Sequence, residues 1–436
     1  MPRYSRSGRA VVATLLTIGL TAVTAACSST DTGGETFTIL QYEQADTAQG
    51  QGWQRALEIF QERHPDVTVD FQTTSFDAMR QNARITLSGN QTPDVVEFNK
   101  GNADGGQLAA QGLLEPLTAE VEARGWDQKV TGGMQSLARY DENGLAGSGD
   151  WYGVPNIGEY VTFYYNKDVF ADAGISETPT TLAELEQVMG QLQESGHTPV
   201  SSSASTSQGF NQMWLWYSLV SAEAERQQID DFMFLQGDVD FAAEPWKSAT
   251  DTFVEWTGQG YFGENLAGLN YEQATVNFLS GDSGMLMWNQ GIFDRVRNDA
   301  DFEWGYFTMP GALTMGSSGH LWGVPAEADN KDLAYDWIDI TLSPEVQNLI
   351  GDKGGLPLAG DSSQISDDLT REYTERFDQL VADDVLSFYP DYPVAGFLDF
   401  IQSHMQSIAN GNESSDEYLA ALQQFYDEGK AASTGS

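Results

Sequence analysis

Cysteine is almost missing from this chain: Cys27 is the only one in 436 residues. That excludes a disulfide framework, a CxxC redox pair and a cysteine-ligated zinc site. Histidine is nearly as scarce, with four copies and no surrounding cluster of acids at metal-ligand spacing. Basic residues are heavily outnumbered, 21 Lys and Arg against 64 Asp and Glu, for a formal net charge of −43. A chain of that sign repels phosphate backbones and anionic lipid surfaces, which excludes nucleic acid as a partner. GxSxG, HExxH and P-loop motifs are absent. Aspartates gather at Asp238 and Asp240 and at Asp329, Asp332 and Asp336, without the Gly and terminal Glu of a calcium loop. No cofactor and no metal is expected.

What is present is a core-forming composition, 40% hydrophobic and 11% aromatic, too apolar for an acidic disordered chain. The amino terminus is separate in kind. Arg3, Arg6 and Arg9 precede an apolar run from Ala10 to Val23, then Ala25 and Ala26. A positive stretch, an apolar stretch and small residues make a secretory signal over 1–26. The run is shorter than the roughly 20 apolar residues that span a bilayer. Thr24-Ala25-Ala26-Cys27 resembles a bacterial lipoprotein box, with Thr24 where Leu is usual. A lone cysteine behind a signal is best explained as a lipid attachment point. Residues 27–35, small and polar with paired glycines, are expected to be its tether.

From Thr36 the periodicity alternates. Thr36–Tyr42 reads as a buried strand, and Trp53, Ala56, Leu57 and Phe60 fall on one helical face. Val67–Gln72 and Pro93–Asn99 read as further strands, with a helix from Phe76 to Leu87 between them. Strands alternating with helices at this spacing predict parallel βαβ units and an α/β fold. Tyr160–Tyr165 reads as another buried strand, and Thr181 with Glu184 has the spacing of a capping box. Phe210, Trp214 and Tyr217 lie at helical spacing, and Trp304–Pro310 reads as a strand returning to the first lobe.

The ordered pieces Trp151-Tyr152-Gly153-Val154-Pro155, the strand to Tyr165, Asn166-Lys167-Asp168-Val169-Phe170 and Pro179-Thr180-Thr181-Leu182 resemble the extracellular solute-binding proteins of family 1, which serve ABC importers of sugars. Leu113-Leu114-Glu115-Pro116-Leu117, Ser343-Pro344-Glu345-Val346-Gln347 and Gly354-Gly355-Leu356-Pro357-Leu358 are similar to further family patterns, so the likeness covers nearly the whole mature chain. It departs at Gly284–Gly291, where Gly291 replaces the family's Trp. The resemblance implies a two-lobe periplasmic-binding-protein-like α/β fold. Each lobe would hold a mixed, mainly parallel sheet flanked by helices, joined by a three-segment hinge. Lobe one is expected at 36–155 and 303–355, and lobe two at 156–302 and 356–430. It further implies a sugar, a di- or oligosaccharide, bound between the lobes and delivered to the permease subunits of an ABC importer. The protein would be a monomer held at the outer face of the cell membrane by lipid alone. Other polyol or amino-alcohol solutes are the alternative ligands, and a secreted carbohydrate-active enzyme is the rival class.

Ligands of open α/β sheets lie beyond the carboxyl ends of strands, which nominates Tyr42, Glu43, Asn99 and Lys100. Glu159 lies in the crossing strand. The resemblance adds Phe210 and Trp214 at a helix start, with Trp216 and Tyr217 left in the core. It adds Trp288 and Asn289 after a strand, and Tyr392, Phe397 and Asp399 near a later helix start. Trp322 stands in Gly319-His320-Leu321-Trp322-Gly323-Val324-Pro325. Glycines admit close backbone approach, and an indole with no helical face to bury is expected to stack on ligand. His320 is expected to make an ordinary hydrogen bond.

Overall fold

The strand Thr36–Gln41 carries Phe37, Ile39 and Leu40 into one core. It sits between two parallel neighbours, Thr68–Thr73 and Val95–Phe98, in register Ile39 to Val95 and Leu40 to Val96. The computed structural model describes residues 36–435, so the signal, the tether and Cys27 lie outside the described residues. Two short strands complete this five-stranded sheet. Leu321–Gly323 runs antiparallel to Val95–Phe98, with Trp322 opposite Glu97, and Val154–Pro155 runs antiparallel to Leu321–Gly323. The helices Ala48–Arg63 and Lys331–Thr341 bury Trp53 and Trp337 in the core of this sheet.

A second, four-stranded sheet has the order Trp304–Phe307, Thr162–Asn166, Ser283–Trp288, Thr198–Ser201. It is mixed. The first two pairings are antiparallel, and Ser283–Trp288 runs parallel to Thr198–Ser201. Trp304–Phe307, read from sequence as returning to the first lobe, instead stays here, with Phe307 opposite Phe163. The reason is local: Phe163 and Phe307 stack at 5.1 Å inside the second core. The helix Phe210–Glu223 is buried on nearly every side and runs through that core. This explains its lack of polar periodicity.

Local signals set the helix ends. Thr181 accepts from the Glu184 N–H and Glu184 reaches back to the Thr181 N–H, closing the expected capping box. Ser343 caps Pro344–Asp352, with proline in the first turn, where its missing N–H costs nothing. Between the two sheets the chain runs through short paired segments. Gly158–Tyr160 pairs antiparallel with Gly316–Ser318, which sets Glu159 opposite Ser317. The Gly158 N–H donates to the Leu356 carbonyl at 2.7 Å. Among the described residues no helix is long and apolar enough to cross a membrane.

Candidate ligand-binding cleft

A cavity of about 320 Å³ opens where the carboxyl ends of the first sheet's strands face the second sheet. Tyr42 and Glu43 follow the first strand, Asn99 and Lys100 follow Val95–Phe98, and Glu159 comes from the crossing segment. The far wall is aromatic. Phe210 and Trp214 stand on the first turns of the helix Phe210–Glu223, Tyr271 opens the helix Tyr271–Leu279, and Trp288 ends its strand. Tyr271 and Trp288 lie face to face, 4.7 Å apart and 14° from parallel. Trp214 leans on Trp288 at 4.4 Å. Phe76, the first residue of the helix Phe76–Leu87, meets Phe210 edge-on at 6.5 Å and narrows the opening.

Lys100 lies at the floor, 1% exposed. Its Nζ is 3.6 Å from Glu159 Oε2, an ion contact beyond hydrogen-bond range. The ammonium also faces the rings of Tyr392 and Tyr389, at 5.1 and 5.9 Å. Nζ has no hydrogen-bond acceptor, and neither does the buried Tyr42 hydroxyl have a partner. Burial pulls the Lys100 pKa below its usual value, opposed by Glu159 and Asp391. Burial likewise raises the Asp391 carboxyl, which Arg80 partly offsets. Asn99 Nδ2 donates to Asp104 Oδ2 at 2.6 Å, and Arg80 Nε donates to the same oxygen at 2.9 Å.

Glu43 and His320 hold one edge, Oε1 to Nδ1 at 3.1 Å. Behind them Glu97 is sealed from solvent. Asn156 Nδ2 donates to its Oε1 at 2.6 Å, and the Tyr42 N–H approaches Oε2 at 3.4 Å. Burial, reinforced by the Glu43 charge, raises the Glu97 pKa well above the usual carboxylate value. Glu43, Glu97 and His320 bring ligand-type atoms within 4.8 Å of one another. Each is already engaged by the bonds just given: Glu43 and His320 line the cleft, and Glu97 lies behind them.

Of the residues expected from sequence, Tyr42, Glu43, Asn99, Lys100, Glu159, Phe210, Trp214, Trp288 and Asn289 all line this cleft. Trp216 and Tyr217 lie in the core, as expected. Trp322 does not reach the cleft. It is fully buried between Trp53 at 5.4 Å and Trp337 at 5.6 Å. The glycine-flanked segment is a strand, and its alternation turns the indole into the first core. Phe397 is also fully buried, stacked on Phe400 and Phe425. Asp399 is exposed on the first turn of the same helix, away from the lining. The run before that helix supplies Tyr392, as expected, together with Tyr389 and Asp391. Phe76, Tyr271, Tyr389 and Asp391 escaped the sequence reading. Phe76 and Tyr271 had a usable signal: each directly follows a helix-capping residue, Ser75 or Asn270.

Residues 44–348 match the family model described as bacterial extracellular solute-binding protein. A mannitol-binding protein of Pseudomonas aeruginosa is 24% identical over 347 residues, 74% of this chain and 72% of that protein. A diacetylchitobiose-binding protein of Streptomyces coelicolor is 23% identical over 338 residues, 74% and 73% of the two chains. Among solved structures, a chitin oligosaccharide binding protein superposes with a TM-score of 0.78 at 19% identity, covering 91% of this chain and 99% of that one.

Proposed function

The chain belongs to the bacterial extracellular solute-binding proteins, a family of binders rather than enzymes, and from that footing we propose that it captures a sugar in the cleft and delivers it to the permease of an ABC importer. One observation carries the reading. The cleft brings packed aromatic rings, Tyr271, Trp288 and Trp214, into one lining with buried charged groups, Lys100, Glu159 and Asp391. Sugar rings present C–H faces that pack on aromatics and hydroxyls that bond to charged groups. A relative named for diacetylchitobiose is in keeping with it, and one named for mannitol is in keeping with the polyol alternative.

In this reading the two sheets with their cores are the two lobes, Trp304–Phe307 belongs with the second, and the protein acts as a monomer. The signal over 1–26 is removed, and Cys27 carries the lipid that holds the protein at the outer face of the membrane. Cys27→Ser should then release it to the medium or leave it unprocessed. Thermal-shift screening of the mature chain against mono-, di- and oligosaccharides and mannitol, followed by calorimetry, tests the ligand class. A saturable rise in melting temperature without turnover is expected. No response to any sugar or polyol would overturn the reading.

A further inference from the structure

The cleft combines buried charged groups with aromatic rings. Lys100, Glu159, Asp391 and Tyr42 are buried in its wall, and so are Trp214 and Trp288. Toward the opening stand partly exposed aromatics, Phe210 and Tyr271. Buried donors without acceptors cost free energy in the free protein, and here they include Lys100 Nζ, Tyr42 Oη and Tyr389 Oη. All three side chains line the cavity, so a ligand oxygen that reached these atoms would complete them.

The floor is also sealed. The loop after Asn99 is stitched to the run that carries Tyr389 and Tyr392. The Ala103 N–H donates to the Tyr392 carbonyl and Asn102 Nδ2 to the Pro393 carbonyl, both at 3.0 Å. Gly101 packs so closely that a Cβ there would lie 2.4 Å from Tyr392 Cβ. No sugar chain can thread past that seam. The floor carries charges of both signs: the Lys100 ammonium faces Glu159 and lies near Asp391, which Arg80 partly offsets. A carboxylate on the ligand would meet those two acids, and an ammonium would meet Lys100. A hydroxyl suits both, because it accepts from Lys100 or Tyr42 and donates to a carboxylate.

Resting on the sugar-binding reading, we infer that the ligand enters end-on: an uncharged terminal ring with free hydroxyls fills the Lys100–Glu159 floor, and the next ring stacks toward the mouth on the face of Tyr271 turned away from Trp288. The protein thus reads one end of a neutral oligosaccharide.

The test is calorimetry on the mature chain with three series: glucose, maltose and maltotriose; galactose, melibiose and raffinose; N-acetylglucosamine, diacetylchitobiose and triacetylchitotriose. In whichever series binds, affinity should rise about tenfold or more from one ring to two. Lys100→Met, with Lys100→Gln as a second variant should the first misfold, should weaken every member, the single ring included, by about 30-fold. Tyr271→Ala should leave the single ring within about threefold and weaken the disaccharide about tenfold. A nitrophenyl glycoside at the reducing end and a benzyl ether on the non-reducing ring should differ, one abolishing binding and the other tolerated. The inference is overturned if Lys100→Met spares the single ring, if Tyr271→Ala weakens one ring as much as two, or if both capped sugars bind. Silence of the unmodified protein to every series would instead overturn the sugar-binding reading, and the inference with it.

Discussion

Glu97 keeps its carboxyl where no water reaches it, held by Asn156 and the Tyr42 amide. Burial outweighs those two donors, so the folded pKa lies above the ordinary 4.5. Between those two values the folded chain binds more protons than the unfolded one. Stability from the neutral carboxyl is therefore complete below the ordinary pKa and is lost as pH rises through the folded one. Glu97→Gln keeps an acceptor for Asn156 and removes the titration. Melting curves of the two proteins should lie closest in acid and separate as pH rises, with the wild type losing more. Parallel curves across that range would mean that Glu97 does not titrate this way. Trp322 makes a second case at this scale. Trp322→Ala should cost about 3–5 kcal/mol of folding stability, as other core truncations do, while sugar affinity of the folded variant changes little. Urea melts and calorimetry on one preparation separate the two effects, and lost affinity with unchanged stability would put the indole back in the cleft. The sequence reading went astray here because a three-residue strand is too short to show alternation. Its packing partners, Trp53 and Trp337, are also distant in the chain.

Elements were legible in the sequence where their signals are local. The Thr181 and Glu184 spacing announced a capping box, and that box forms. Short apolar runs located the strands expected at Thr36–Tyr42 and Pro93–Asn99, and the rule that ligands sit beyond such strand ends found Tyr42 and Lys100. What could not be read was which element a strand or helix packs against. Nothing within Trp304–Phe307 says that its neighbour is Thr162–Asn166, and nothing near Phe397 says that it will stack on Phe425. That packing turns Phe397 inward and leaves the cleft to Tyr389, Asp391 and Tyr392. The seam between that run and the loop after Asn99 depends on Gly101, whose φ of +84° suits glycine and whose missing Cβ makes room for Tyr392. Gly101→Ala should cost about 1–3 kcal/mol through overpacking and strain, and should lower sugar affinity by displacing Tyr392. A variant that melts and binds like the wild type would show that the seam is slack.

At the scale of the whole molecule, three chain segments run side by side between the sheets. The Gly158 N–H donates to the Leu356 carbonyl, the Asn156 N–H to the His320 carbonyl at 3.1 Å, and the Gly319 N–H to the Ile157 carbonyl. Gln347, wholly buried, clasps two of them: its Nε2 donates to the Asn156 carbonyl at 3.0 Å and its Oε1 accepts from the Leu358 N–H at 2.8 Å. A narrow hydrogen-bonded strap between two separately packed cores bends more readily than either core. The cleft has lining residues on both sides of that strap, so a sugar touching Lys100 and Trp288 together gains contacts only when the sides are close. Differential contact of this kind shifts the population toward the closed form. Small-angle scattering of the mature chain should show a smaller radius of gyration with saturating sugar. Lys100→Met leaves the strap intact but weakens the grip, so it should show no contraction at the concentration that saturates the wild type. Excess sugar should restore the contraction, because the hinge itself is unaltered. An unchanged radius for the saturated wild-type protein would mean that the strap is a rigid brace and that sugar enters a cleft already closed to its bound shape.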